Sequence, residues 1–149
     1  MPKVFRSPDP FHVQRLVAAA GLPTEDLADA DLSYFFGYGS REKPIGVVGL
    51  EVFDGEALLR SLVVESSERG AGGGRMLVAA AEEHAHSQGV RSVYLLTTTA
   101  ERFFERLGFR RVDRDSAPAT IRATREFASL CPASAAFMVK RLDPPVRVG

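Results

Sequence analysis

The chain has 149 residues, 45% of them hydrophobic and 26% charged, and its 19 basic and 19 acidic side chains leave no formal net charge. That composition fits one soluble globular domain, which at this length buries roughly 70% of its unfolded surface without a disulfide or metal staple. The charge balance argues against nonspecific nucleic-acid or anionic-membrane binding. The single cysteine, Cys131, cannot form an internal disulfide, and no Cys/His cluster has zinc spacing. The opening MPKVFRSPDPF lacks the apolar core of a signal peptide, and no apolar run reaches the ~20 residues of a membrane span. The expectation is a single domain over residues 1–149, cytoplasmic, with no metal, nucleic-acid or membrane partner.

In chain order, Lys3–Arg6 reads as a short strand closed by Ser7-Pro8-Asp9-Pro10. From Phe11 to Ala20 the spacing of Phe11, Leu16, Val17 and Ala20 predicts a helix face, ended by Gly21. Thr24 N-caps a short second helix with Leu27 inward. Three strand-like runs follow, Leu32–Tyr38, Ile45–Phe53 and Ala57–Val64, the last two joined by Asp54-Gly55, a tight-turn signal. A helix from about Gly72 to Ser87 carries Met76, Leu77, Ala80 and Ala81 as its apolar stripe, with Gly89 as its cap. Next come a buried strand at Val93–Thr97, a short helix at Ala100–Leu107 ended by Gly108, and a strand at Phe109–Val112. Ile121, Thr124, Phe127 and Ala128 predict a helix over about Pro118–Leu130, before a last strand at Ser134–Leu142. The pattern is a mixed α/β domain with an antiparallel first half.

The chemistry-bearing stretch runs from Leu62-Val63-Val64 through Glu65-Ser66-Ser67-Glu68 to Arg69-Gly70-Ala71-Gly72-Gly73-Gly74-Arg75. A strand ends, a polar turn follows, and glycines open a helix whose unpaired N–H groups can cradle a pyrophosphate. A flexible glycine turn is the bland alternative. There is no Gly-Lys-Ser/Thr, and the preceding strand belongs to an antiparallel hairpin, so two known phosphate loops are set aside.

These residues resemble the acyl-CoA motif Arg/Gln-x-x-Gly-x-Gly/Ala of the GCN5-related N-acetyltransferase (GNAT) superfamily. The run from Ala100 to Phe109, a short helix followed by Gly108-Phe109, is similar to its second hallmark. Leu59-Arg60-Ser61-Leu62, Leu95-Leu96-Thr97-Thr98-Thr99-Ala100 and Glu126–Ser134 resemble the arsenic-resistance-associated branch. The resemblance implies the GNAT acyl-CoA N-acyltransferase fold, a mixed central sheet with splayed strands and helices on both faces. It implies acetyl-CoA as co-substrate, with pantetheine between the strand ending at Val64 and the strand around Leu96. The cofactor-contacting residues carried over are Leu62, Val63, Val64, Arg69, Gly70, Ala71, Gly72, Gly73, Gly74, Arg75, Thr97 and Phe104. The implied reaction is acetyl transfer to the amine of a small, amino-acid-like toxic or arsenical compound. Alternatives are a CoA- or nucleotide-binding module without turnover and a protein N-terminal or Lys acetyltransferase. Relatives often dimerise, so a homodimer is an expected assembly.

Acetyl transfer needs a polarised thioester carbonyl, and the resemblance suggests the Val64 amide as oxyanion donor. Many relatives protonate departing CoA with a Tyr at the position of Phe104; phenylalanine cannot, and it reads as core or as a pocket wall. Of the histidines, His84 and His86 read as surface residues and His12 as solvated. Glu51 is the better catalytic candidate. A two-residue Asp54-Gly55 turn pairs Phe53 with Glu56 and Glu51 with Leu58, which places Glu51 diagonal to Arg60 on one face, with Leu62, and Ser61 on the other. The pair is either a structural ion pair or a catalytic and substrate-orienting one. Arg60 is a candidate anion clamp for the acceptor. Arg122 and Arg125, three apart on the predicted helix, are two more, unless they simply form a solvated face. Cys131 reads as a small apolar residue.

Overall fold

The computed structural model describes residues 3–25, 27, 34–66 and 72–142. Strand β1 (Lys3–Arg6) leads into helix α1 (Pro10–Ala19), whose start is fixed locally. Pro10 occupies the first turn, where its missing N–H removes no intrahelical bond, and the Asp9 carboxylate accepts from the Phe11 amide at 2.8 Å. The buried face is Val13, Leu16 and Val17; Phe11, expected there, is 68% exposed because it lies off that i, i+3, i+4 arc. Ala20, also expected inside, is exposed. Of the expected second helix, most lies outside the described residues, but Leu27 is buried.

Strands β2 (Phe35–Gly39), β3 (Pro44–Val52) and β4 (Glu56–Val64) follow as an antiparallel run. The Asp54-Gly55 turn closes as expected, with Phe53 N donating to Glu56 O at 2.8 Å. Helix α2 (Gly73–Ser87) buries Leu77, Val78, Ala81 and Ala85; Met76 is 42% exposed and Ala80 half-buried, so the stripe is rotated from its expected position. Then come β5 (Ser92–Thr97), α3 (Glu101–Arg106), the two-residue β6 (Arg110–Arg111) and finally β7 (Ala136–Arg141).

Between β6 and β7 the expected continuous helix is broken. A 3-10 turn (Arg114–Ser116), the one-turn helix α4 (Ala119–Arg122) and a π-helical turn (Glu126–Leu130) take its place. Thr124 supplies the reason: its hydroxyl donates to Ile121 O at 2.7 Å and accepts from Phe127 N at 3.3 Å, competing with backbone helix bonds. Ala128, expected on the apolar face, is exposed.

The seven strands form one mixed sheet in the order β1-β2-β3-β4-β5-β7-β6. β4 and β5 pair in parallel over Glu56–Leu58 against Ser92–Tyr94, and β7 pairs antiparallel with both β5 and β6. This is the mixed central sheet with helices that the sequence resemblance implies. Two compact units are distinguished, Met1–Glu51 with Leu59–Ala81 and Val52–Leu58 with Glu82–Gly149. In the first, Val13, Leu16 and Val17 pack with Phe35, Val47 and Val63. In the second, Leu58, Ala117, Ile121 and Phe137 form the core, Tyr94 stacking on Phe137 and Phe127 meeting it edge-on, both at 5.3 Å. Among the described residues no helix is long and apolar enough to cross a membrane.

Candidate active site

β4 does not run as a regular strand. At the hairpin end Phe53 bonds to Glu56, and at the open end Glu65 N donates to Ile45 O at 2.8 Å. Eight steps separate Ile45 from Phe53, whereas nine separate Glu56 from Glu65, so the β4 side carries one inserted residue. Ser61 marks the β-bulge, with φ 57, a left-handed conformation that a non-glycine residue adopts at a cost of about 1–2 kcal/mol.

Around this bulge stand the two charged residues that alternation pairs. Arg60 Nη1 lies 3.5 Å from Glu51 Oε2, their side chains 1% and 34% exposed. Arg60 Nε also donates to Ser61 Oγ at 3.1 Å, so the expected opposite face for Ser61 is corrected: the left-handed turn swings its hydroxyl back to its neighbour. The role of acceptor clamp does not fit Arg60, because its guanidinium has no surface to present.

Beyond the bulge Val63 joins the core on α1, while Leu62 and Val64 are half-buried. Since the Glu65 amide bonds to β3, strand alternation directs the Val64 N–H away from β3, and the β4–β5 ladder over Glu56–Leu58 stops short of it. Arg69, Gly70 and Ala71 lie outside the described residues. Gly72 has φ +85, and its carbonyl accepts from Met76 N at 3.0 Å, the first bond of α2. The amides of Gly73, Gly74 and Arg75 precede that bond and have no acceptor within the helix. Gly73 answers to packing: a Cβ there would meet the Tyr38 ring at 2.8 Å. Arg75 is exposed at this helix start.

A cluster that sequence reasoning missed lies beside the end of β4. Arg15 Nη1 meets Glu65 Oε1 at 3.2 Å, while Nη2 donates to Pro44 O at 3.2 Å and lies 3.4 Å from His12 Nδ1. Only the helical spacing of His12 and Arg15 hints at it; Glu65 is fifty residues away in the chain. His84 and His86, read as surface residues, are half-buried.

The other unit holds the remaining candidates. Thr97 Oγ1 accepts from Ala100 N at 3.0 Å and so shapes the turn into α3. Phe104 is buried, edge-on to Phe103 at 5.1 Å and Phe109 at 5.6 Å, as a core residue would be. Arg122 donates from Nε to Ala117 O at 3.0 Å and from Nη2 to Asp115 O at 2.6 Å, which binds it to its own loop. Arg125 is exposed, and the broken helix removes the shared face expected for these two arginines. Cys131, expected to be an inert apolar group, donates its thiol to the buried Glu126 carboxylate at 3.0 Å. Among the described residues, no three His, Cys, Asp or Glu side chains gather as metal ligands would.

Among curated proteins no sequence is significantly similar. Solved structures show the same fold at low identity. The N-acetylglutamate synthase of Neisseria gonorrhoeae, complexed with coenzyme A and N-acetyl-glutamate, superposes with a TM-score of 0.81 at 18% identity, covering 96% of this chain and 35% of that one. This chain therefore spans about a third of that enzyme's length. The Rv2747 protein of Mycobacterium tuberculosis, in complex with CoA and NLQ, gives 0.77 at 21% identity, covering 93% and 98% of the two chains. An acetyltransferase of the GNAT family from Staphylococcus aureus gives 0.76 at 16%, covering 96% and 100%. The family model described as acetyltransferase (GNAT) family matches residues 4–109, which span the bulged strand, the glycine loop and the Gly108-Phe109 hallmark: the chain belongs to the GNAT acetyltransferase family.

Proposed function

We propose that this protein transfers the acetyl group of acetyl-CoA to the amine of a small, amino-acid-like acceptor, including the arsenical compounds of the branch its sequence resembles. One observation carries the reading. Within a single compact unit the Val64 N–H turns away from β3 just ahead of a glycine-opened helix whose first three amides have no internal acceptor. Those amides, with Arg75 beside them, suit a pyrophosphate. The Val64 amide suits the oxyanion that forms when an amine attacks the thioester carbonyl.

The acceptor must arrive as a neutral amine. Glu51, with a third of its side chain accessible, is the carboxylate that holds and orients its nitrogen, while Arg60 behind it offers no surface. The tetrahedral intermediate collapses with loss of CoA as thiolate, and the proton of the acylated nitrogen passes to water. Phe104 has no proton to give, and an alkyl thiol with a pKa of about 8–9 leaves unassisted. Thiol release from acetyl-CoA, followed across a panel of amines with amino-acid-like arsenicals and phosphinates, tests the reading. Turnover on a member of that panel is expected. Tight acetyl-CoA binding without turnover on any of them would make the protein a binding module.

A further inference from the structure

We propose that Arg60 is a positioning residue which, anchored by Glu51, holds Ser61 in its left-handed conformation and thereby keeps β4 bulged so that the Val64 amide faces the thioester. The inference rests on the acyl-CoA reading and adds a role that neither the glycine loop nor the Val64 amide supplies. Three observations meet at one point. Ser61 has φ 57 inside a strand, where serine gains nothing intrinsic from that conformation. The hydroxyl of that residue accepts from Arg60 Nε at 3.1 Å, a contact that regular alternation would forbid, since neighbours on a strand point to opposite faces. And the guanidinium making it is 1% exposed, with Glu51 Oε2 at 3.5 Å from its Nη1.

A planar guanidinium held on two sides cannot follow Ser61 if that residue relaxes to extended backbone. Relaxation would delete the extra residue from the register, and each amide beyond it would then face the opposite edge of the strand. The Val64 N–H would turn toward β3. Removing the lock should therefore damage acyl-CoA binding through backbone direction, with no lost contact to the ligand.

Glycine separates this from a merely structural role, because it adopts φ near +57° without help. Calorimetry on Arg60→Met and on Ser61→Ala, which removes only the hydroxyl and keeps the Cβ, should each show acetyl-CoA affinity at least about tenfold weaker. The double variant Arg60→Met/Ser61→Gly should return to within about threefold of the starting affinity. Its thermal stability should stay as low as that of Arg60→Met, since the buried contact between Arg60 and Glu51 is lost in both. Unchanged affinity in both single variants overturns the proposal, as does a crystal structure of Arg60→Met with Ser61 still left-handed. If the unaltered protein binds no acetyl-CoA, the functional reading falls. The backbone of residue 61 in the Arg60→Met and Ser61→Ala structures then decides the lock by itself, extended in its favour and left-handed against it.

Discussion

Arg60 and Arg122 carry the same side chain and the same expectation, an anion clamp, yet Arg60 is buried inside its unit whereas Arg122 stays exposed and folds back onto its own loop. Arg60 sits in a strand and meets another side chain, Glu51, so period-two alternation and a turn signal suffice to pair them. Arg122 ends a one-turn helix and meets backbone carbonyls, Ala117 O and Asp115 O, in a loop that no periodicity describes. Charged partners in regular structure can be read from sequence; backbone partners in irregular structure cannot.

The sharpest test of that contrast compares the two arginines as alanine variants in urea. Arg60→Ala takes a buried guanidinium away from a carboxylate that is one-third exposed, for which a loss of about 2 kcal/mol is expected, less than for a wholly buried pair. Arg122→Ala removes two bonds to loop carbonyls that water can partly replace, so about 1 kcal/mol is expected. Equal losses would erase the distinction.

Next in size are the two glycines at the start of α2, which differ in the same way. Gly73→Ala drives a Cβ against the Tyr38 ring and should destabilise by about 1–3 kcal/mol, with acetyl-CoA affinity following only as far as the fold does. Gly72 has open space around its Cβ position but φ +85. Gly72→Glu should fold and yet bind acetyl-CoA at least about tenfold more weakly by calorimetry, a difference of about 1.4 kcal/mol, because a carboxylate then stands beside the amides proposed to hold the pyrophosphate. Tight binding by Gly72→Glu would move the pyrophosphate elsewhere.

The smallest effect concerns Tyr94, stacked on Phe137 in the second unit. Burial, helped by Glu56 and opposed by Arg141 and Arg110, pushes its hydroxyl pKa above the ordinary 10.0. The folded chain therefore keeps a proton that the unfolded chain gives up. That contribution is complete below the unfolded value of 10.0 and is lost as pH rises from there through the raised value of the folded chain. Tyr94→Phe should flatten the alkaline decline in stability above pH 10.0, seen by urea titration across that range. An unchanged decline would show that the ring's surroundings do not reach its oxygen.

What could be read from the residues follows the same division. The Asp54-Gly55 turn and the facing runs place the hairpin, and with it Glu51 against Arg60, from the sequence alone. The glycine run placed the start of α2. Ser61 was unreadable because nothing in serine announces a left-handed residue, and one such residue reverses the direction of everything after it. Phe11 and Met76 misled for a common reason. Each is large and apolar at roughly the right spacing, yet Val13 and Val78 complete the arcs that face the core. The segment 118–130 failed because Thr124 carries its own hydrogen-bonding group into the helix it was expected to extend.

The Arg15 guanidinium ties three stretches of chain distant in sequence: α1 that carries it, the start of β3 through Pro44, and the residue after β4 through Glu65. Strand ends held only by their own ladder fray residue by residue. Here the last rung of the bulged strand cannot detach without also releasing the helix side chain and the neighbouring strand's first carbonyl, so local opening becomes a joint event. Amide protons at the end of β4 should therefore exchange with solvent together with those of the start of β3.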